Sequence, residues 1–234
     1  MAEWVIPDIH GCYRSLEALL TQIDPGKDDT VYFLGDYIDR GRGSREVIDT
    51  IMLLRNSGVQ VRTLRGNHEE FFLIARKAEM ELKKGFFRKR NRALSQWFQL
   101  GGKEMLQSFK VNSVLEVPDR YVEWMSQLEY FIELPHYFLV HAGFNFKADD
   151  IFADTNAMMT LREFEIVPEK VKGKKIIHGH VPVGLDLIHQ TINTNFYGFI
   201  DLDNGCVYAG REGMGNLLAF EIGTKKLLVQ QNVE

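Results

Sequence analysis

Short apolar segments alternate with polar stretches along this chain, and five of them end just before a residue that can bind a metal. The segments are rich in β-branched and aromatic residues, which is typical of buried strands. They lie at residues 4–6, 31–34, 59–64, 137–140 and 176–177. The pattern therefore predicts five core strands whose carboxyl ends carry side chains with useful chemistry.

Segments with the hydrophobic periodicity of a helix lie between the first three of these strands. The first predicted helix follows Gly11 and has Ser15 as its cap, and the second runs from a Ser44 cap to about Gly58. A third helix is predicted over residues 69–84. Strands that alternate with helices in this way predict a parallel sheet.

The remaining two thirds differ from this beginning. Residues 85–133 contain three predicted helices, at 91–99, at 103–109 and from about 118 onward, and we interpret them as a helical insertion beside the sheet. Short antiparallel strands are predicted at residues 192–196, 205–209, 216–221 and 226–230. The chain is therefore expected to form one α/β domain over residues 1–234, with two mixed sheets face to face and helices outside.

Composition narrows the class of protein. The chain has 234 residues, of which 45% are hydrophobic and 26% are charged, as in an ordinary globular protein. A net charge of −4 favours neither nucleic acid nor an acidic membrane as a partner. The two cysteines, Cys12 and Cys206, form no disulfide-rich framework. The first strand begins by Trp4, which leaves no room for a signal peptide, so a cytoplasmic location is expected.

Six candidate metal ligands follow the predicted strands. Since sites in α/β sheets form at the carboxyl ends of strands, we expect these residues to meet at one edge. They are Asp8, His10, Asp36, Asn67, His141 and His180. Asp8, His10 and Asp36 could hold one ion, and Asp36 could bridge it to a second ion held by Asn67, His141 and His180. This mixture of carboxylate, imidazole and amide predicts two divalent ions, with Mn expected and Fe or Zn as alternatives.

Two such ions would suit phosphate chemistry. Ions about 3.5–4 Å apart can share a bridging hydroxide that attacks a phosphoryl group in line. Arg40 and Arg162 are candidates for binding the phosphate, because a guanidinium binds phosphate oxygens bidentately. His68 is the candidate proton donor to the leaving alkoxide, and Asp39 could orient it. His178, two residues before His180, is expected to have a supporting or structural role.

The motifs resemble those of the phosphoprotein phosphatase (PPP) family of metallophosphoesterases. The matching segments are Asp8-Ile9-His10-Gly11, Gly35-Asp36-Tyr37-Ile38-Asp39-Arg40-Gly41, Gly66-Asn67-His68-Glu69, His141-Ala142-Gly143 and Gly179-His180. The resemblance implies an α/β/β/α sandwich and the same ligands, proton donor and phosphate-binding arginines as above. The chain departs from the family at Pro7, where glycine is usual, and at Thr160, where many relatives carry an aromatic residue.

The family contains protein phosphatases and symmetrical bis(5'-nucleosyl)-tetraphosphatases, which share this core. We expect a bacterial-type serine/threonine protein phosphatase, with phosphotyrosine kept open as a further substrate and the tetraphosphatase as the alternative. Phosphorylated proteins are then the expected partners of a monomeric enzyme. The basic stretch at residues 83–92 could attract acidic protein surfaces or a polyphosphate chain, or it could be a solvated helix end.

Two readings from other classes are weaker. A non-catalytic phosphopeptide-binding module would require a decayed active site, and the motifs are intact. A nucleic-acid-binding role would rest on the basic stretch alone, which offers only Phe86 and Phe87 for stacking.

Overall fold

The structure, a computed structural model, describes residues 1–84, 91–194 and 196–234. These residues contain nine strands and eight α-helices, besides short 3-10 helices and loops. The strands are β1 (Glu3–Ile6), β2 (Thr30–Phe33), β3 (Gln60–Thr63), β4 (Phe131–Glu133), β5 (Tyr137–Val140), β6 (Lys175–His178), β7 (Phe199–Asp201), β8 (Asn216–Glu221) and β9 (Leu227–Gln231). The helices are α1 (Tyr13–Ile23), α2 (Ser44–Asn56), α3 (Asn67–Lys84), α4 (Arg92–Gln99), α5 (Gly102–Phe109), α6 (Asp119–Ser126), α7 (Thr155–Thr160) and α8 (Leu185–Asn193).

The strands form two mixed sheets. The first has the order β3-β2-β1-β8-β9, in which β1, β2 and β3 are parallel and β8 and β9 are antiparallel additions. The second has the order β4-β5-β6-β7, in which only β4 is antiparallel to its neighbour. The predicted α/β class with two mixed sheets is confirmed.

The two sheets enclose one apolar layer, and helices cover their outer faces. Because side chains alternate along a strand, Val5 of β1 packs between the sheets while its neighbours Trp4 and Ile6 pack under the helices. Leu139 of β5 and Ile177 of β6 reach the same central layer from the second sheet. This packing fixes the register of β1, β5 and β6, and so fixes the direction of the residues that follow them.

The predicted helical insertion corresponds to α4, α5 and α6. α4 packs on α3, and α5 packs on α2, so these helices lie against the outer layer of the first sheet. Residues 85–90, which carry three of the six basic residues of the basic stretch, lie outside the described residues. The single-domain boundaries and the limits of the insertion stay predictions. Among the described residues, no helix is both long and apolar enough to cross a membrane.

Two predicted strands are wrong. Residues 192 and 193 end helix α8, whose Ile188 and Ile192 are one helical turn apart and bury the same face. Residues 206–208 form a short 3-10 helix, closed by a hydrogen bond from the Tyr208 N–H to the Gly205 carbonyl (2.8 Å). β7, moreover, pairs parallel to β6, so the antiparallel prediction holds for β8 and β9 alone.

Both predicted serine caps are also wrong. α1 begins at Tyr13 with Cys12 as its N-cap, which places Ser15 inside the first turn. α2 has Gly43 as its N-cap, and Ser44 is its first residue. The Ser44 hydroxyl instead accepts a hydrogen bond from the Asp39 N–H (3.1 Å), so this residue supports the site and not the helix end.

Candidate metal centre and active site

Asp36 lies at the centre of the predicted ligands. It follows β2, and its two carboxylate oxygens face different histidines: Oδ2 is 3.5 Å from His10 Nε2, and Oδ1 is 3.5 Å from His141 Nε2. Two groups of potential ligand atoms, each spanning no more than 4.8 Å, share this residue. They are His10, Asp36 and His68, and Asp36, His141 and His180. The geometry favours the predicted bridging role of Asp36, which stays a prediction.

Asn67 and Asp8 lie beside the second group. His141 Nε2 lies 3.2 Å from Asn67 Oδ1 and 3.1 Å from His180 Nδ1. Asp8 Oδ1 accepts a hydrogen bond from the His180 N–H (3.1 Å), so Asp8 contacts this group as well as following the same strand as His10. All six predicted ligands are therefore brought together.

The donor atoms fit a divalent cation. The Nδ1–H groups of His10 and His141 each donate to a backbone carbonyl, of Ile38 and Leu34 respectively (3.0 Å each), so both Nε2 lone pairs face the cluster. Asp8 Oδ2 is buried and has no hydrogen-bond partner among the described residues. A buried carboxylate oxygen of this kind is stabilised when it coordinates a cation.

The shifted pKa values of the cluster are also consistent with a site for a cation. Burial, and then the nearby Asp36 carboxylate, raises the pKa of Asp8, while burial, and then Glu69, raises the pKa of Asp36. Burial lowers the pKa of His10 and of His141. A divalent ion would stabilise the ionised form of these carboxylates, and it would be coordinated by the neutral form of these imidazoles.

His68 and Asp39 form a buried pair beside the ligands. His68 Nδ1 lies 2.7 Å from Asp39 Oδ2. Trp97, to which sequence analysis assigns no chemical role, donates its Nε1–H to both Asp39 oxygens (3.1 and 2.9 Å). Arg40 lies at the mouth of the cluster, where its guanidinium donates to Nε2 of His10 (2.8 Å) and of His68 (3.1 Å).

Glu69 shapes the loop that carries Asp36, and sequence analysis assigns it no role. Its carboxylate accepts hydrogen bonds from the N–H groups of Asp36 (3.0 Å), Tyr37 (2.9 Å), Ile38 (3.3 Å) and Gly66 (3.0 Å). Burial raises its pKa, and these N–H groups oppose the rise. Its position directly after His68, at the start of α3, is the feature of the sequence that could have indicated a role in the site.

Five site residues have backbone conformations that favour glycine. Their φ angles are 47° at His10, 51° at Asp36, 70° at Asp39, 63° at Arg40 and 75° at His180. Non-glycine residues with positive φ are strained and cluster at functional sites. At Gly66, a side chain would collide with the Asp36 carboxylate, so a true glycine is needed there.

Arg162 is the least integrated of the predicted residues. It is exposed, two residues past the end of α7, and no hydrogen bond among the described residues joins it to the cluster. Burial lowers the pKa of His180 to about 4, and the positive charge of Arg162 is the next cause. Its role in phosphate binding stays a prediction.

A cavity of about 280 Å³ opens beside Arg162. Its walls include Phe164, Phe199 and His178. The centre of the His178 ring is 5.3 Å from that of Phe164 and 5.2 Å from that of Phe199. The His178 Nδ1–H donates to the Gly179 carbonyl (3.1 Å), and its buried Nε2 has no partner among the described residues.

Solved structures with the same fold include a putative diadenosine tetraphosphatase and a protein serine/threonine phosphatase. A putative diadenosine tetraphosphatase matches 100% of this chain and 94% of its own, with a TM-score of 0.62 and 20% identity. A yeast (Saccharomyces cerevisiae) protein serine/threonine phosphatase with similarity to human phosphatase PP5 matches 100% of this chain and 81% of its own, with a TM-score of 0.61 and 16% identity. These likenesses establish the fold.

Comparison of the sequence with those of known proteins identifies the family of this chain. Symmetrical bis(5'-nucleosyl)-tetraphosphatases from Enterobacter sp. (strain 638) and Escherichia coli (strain K12 / DH10B) are each 42% identical over 71 residues, 30% of this chain. The chain covers only 24% of the length of these relatives. The model of the calcineurin-like phosphoesterases matches residues 3–221. The chain therefore belongs to the calcineurin-like phosphoesterase family.

Proposed function

We propose that this protein is a serine/threonine protein phosphatase of the phosphoprotein phosphatase type, with a dinuclear metal centre. The observation that carries the proposal is that Asp36 presents one carboxylate oxygen to His10 and the other to His141 (3.5 Å each). A shared carboxylate is the arrangement that two ions acting on one phosphoryl group require. The proton donor pair and Arg40 lie against this same carboxylate, since His68 Nε2 is 3.9 Å from Asp36 Oδ2.

Membership of a phosphoesterase family makes the chain a hydrolase of phosphate esters, and such enzymes use divalent metals. Asp8, His10 and Asp36 would hold one ion, and Asp36 with Asn67, His141 and His180 would hold the other. Bound there, the ions would supply an activated water and withdraw charge from the phosphoryl group.

The other residues act directly on the substrate. Arg40 binds phosphoryl oxygens through its guanidinium, which already faces the cluster. Asp39 accepts the Nδ1–H of His68, so Nε2, which accepts a hydrogen bond from Arg40 in this structure, is the atom that would take up a proton from the attacking water and pass it to the leaving oxygen. The exposed Arg162 is the second proposed phosphate-binding residue.

A substrate panel tests this proposal. With Mn added, phosphoserine and phosphothreonine peptides should be cleaved with higher kcat/KM than diadenosine tetraphosphate, and a phosphotyrosine peptide should be included. The His68→Asn variant, assayed in parallel, excludes a contaminating phosphatase. If the dinucleotide is preferred by tenfold or more, about 1.4 kcal/mol in transition-state binding, the tetraphosphatase replaces this proposal.

The second candidate, a symmetrical bis(5'-nucleosyl)-tetraphosphatase, is favoured by two observations. The curated relatives carry that name. The cavity beside Arg162 has two aromatic walls, Phe164 and Phe199, which suit the flat face of a nucleobase. The cavity lies at the small end of ligand pockets, which suits one base and not a whole nucleotide.

A further inference from the structure

Arg211 and Arg40 both contact the ring of Tyr208. The guanidinium carbon of Arg40 is 5.5 Å from the centre of the Tyr208 ring, and that of Arg211 is 4.1 Å from the same centre. Arg40 is tied to His10 and His68 by hydrogen bonds. The ring therefore connects the metal cluster to a second positive charge further out on the surface.

The segment that carries Arg211 is held in place. The buried Asn204 donates to the carbonyls of Val183 and Gly213 (2.8 Å each) and accepts a hydrogen bond from Asn216 (2.6 Å). These bonds close the two ends of the segment at residues 204–216. The Arg211 N–H donates to the Tyr208 carbonyl (3.0 Å), which fixes the spacing of the two side chains.

The charge of Arg211 is available to a ligand. The residue is exposed, and none of the ion pairs within residues 1–84, 91–194 and 196–234 includes it, although Glu212 follows it in the chain. Arg42, by contrast, lines a cavity of about 650 Å³ together with Glu46 and Glu234, so carboxylates already share its surroundings.

We propose that Arg211, held against Tyr208, binds an acidic side chain of the substrate one or two residues away from the phosphorylated side chain. This inference rests on the proposed protein phosphatase function. Consecutive Cα atoms are about 3.8 Å apart, so a neighbouring residue of an extended peptide can reach across one ring from Arg40. The guanidinium fork binds a carboxylate bidentately, and stacking on Tyr208 reduces the freedom that Arg211 would lose on binding.

Two phosphoserine peptides test the inference. They are identical except that one has Glu, and the other Gln, at the two positions on each side of the phosphoserine. We expect the wild-type protein to prefer the Glu peptide by about fivefold in kcat/KM, mainly through KM, which corresponds to about 1 kcal/mol for an exposed ion pair. The preference should weaken with added salt.

Variants locate the effect. Arg211→Ala should bring the ratio of the two peptides close to one, and Arg211→Lys, which keeps the charge, should retain part of the preference. Arg120→Ala is the matched control, because Arg120 also stacks on a tyrosine, Tyr121, at 4.6 Å but lies on α6. This control should keep the wild-type ratio.

The outcomes separate the two proposals. If wild type cleaves both peptides equally, or if Arg211→Ala keeps the preference, the assignment of Arg211 is overturned and the phosphatase function stands. If wild type cleaves neither peptide but hydrolyses diadenosine tetraphosphate, both proposals are overturned.

Discussion

The imidazole Nδ1 of His68 is 2.7 Å from the carboxylate Oδ2 of Asp39, and both side chains are fully buried. The pair fixes which nitrogen of His68 faces the substrate. We expect His68→Asn to lower kcat by roughly 10²–10⁴-fold, the usual contribution of a general acid, while bound metal is retained. Steady-state kinetics with elemental analysis measures both quantities. His189→Asn, on the exposed face of α8, is the control and should behave as wild type.

Removal of metal should abolish activity, and Mn should restore it best. Asp36→Asn should lower the occupancy of both metal positions, because a neutral amide replaces the carboxylate that the two ligand groups share. Metal content after dialysis against chelator and readdition of Mn measures this. Asp186→Asn, at an exposed position in α8, should bind as much metal as wild type. Two full equivalents of metal in Asp36→Asn would refute the bridging role.

Glu69→Gln should destabilise the protein and weaken metal binding. The carboxylate accepts four backbone N–H groups, and an amide has only one oxygen to accept them. The free energy of unfolding should fall by about 1–3 kcal/mol, the cost of leaving buried donors unpaired. Urea unfolding measures it, and the exposed Glu81→Gln in the same helix should change it by less than about 0.5 kcal/mol. A Glu69→Gln protein as stable as this control would contradict the role.

His178 should make the protein less stable in acid. Burial lowers its pKa to about 4, so the folded protein keeps it neutral at a pH where the unfolded chain protonates it. Stability from this group is complete above the unfolded pKa of 6.5 and is lost as the pH falls toward 4. Between pH 7 and pH 5 the loss should be about 2 kcal/mol.

The comparison of wild type with His178→Gln isolates this contribution. Without the titrating ring, the variant should lose about 2 kcal/mol less than wild type over the same pH interval, as measured by urea unfolding in the presence of chelator. Equal losses in the two proteins would show that His178 is not the group responsible. An NMR titration of its ring protons provides a direct check.

The positions of the ligands could be predicted from the sequence because they depend on strong local patterns. Asp36 and His141 each follow a run of β-branched or aromatic residues, and such runs favour strands when glycine or polar residues bound them. The alternation of these strands with helices then places their ends at one edge of a sheet. The parallel half of the first sheet follows from this reasoning.

The supporting residues could not be predicted, because their roles depend on partners far away in the chain. Trp97 reaches Asp39 from another helix, and Glu69 binds backbone atoms of a loop more than thirty positions earlier. Ile192 is β-branched and favours a strand locally, but tertiary packing keeps it in α8. Apart from the position of Glu69 directly after His68, the sequence carries no comparable local signal for contacts of this range.

The left-handed backbone at five site residues limits how this protein can be engineered. Glycine would relieve strain of about 1 kcal/mol or more at each position, so a selection for thermostability alone would favour glycine at His10, Asp36, Asp39, Arg40 and His180. Every one of those changes deletes a side chain of the candidate site. Laboratory evolution of a more thermostable variant would therefore have to screen for catalytic activity at each round. Without that screen, it would select a stable but inactive protein.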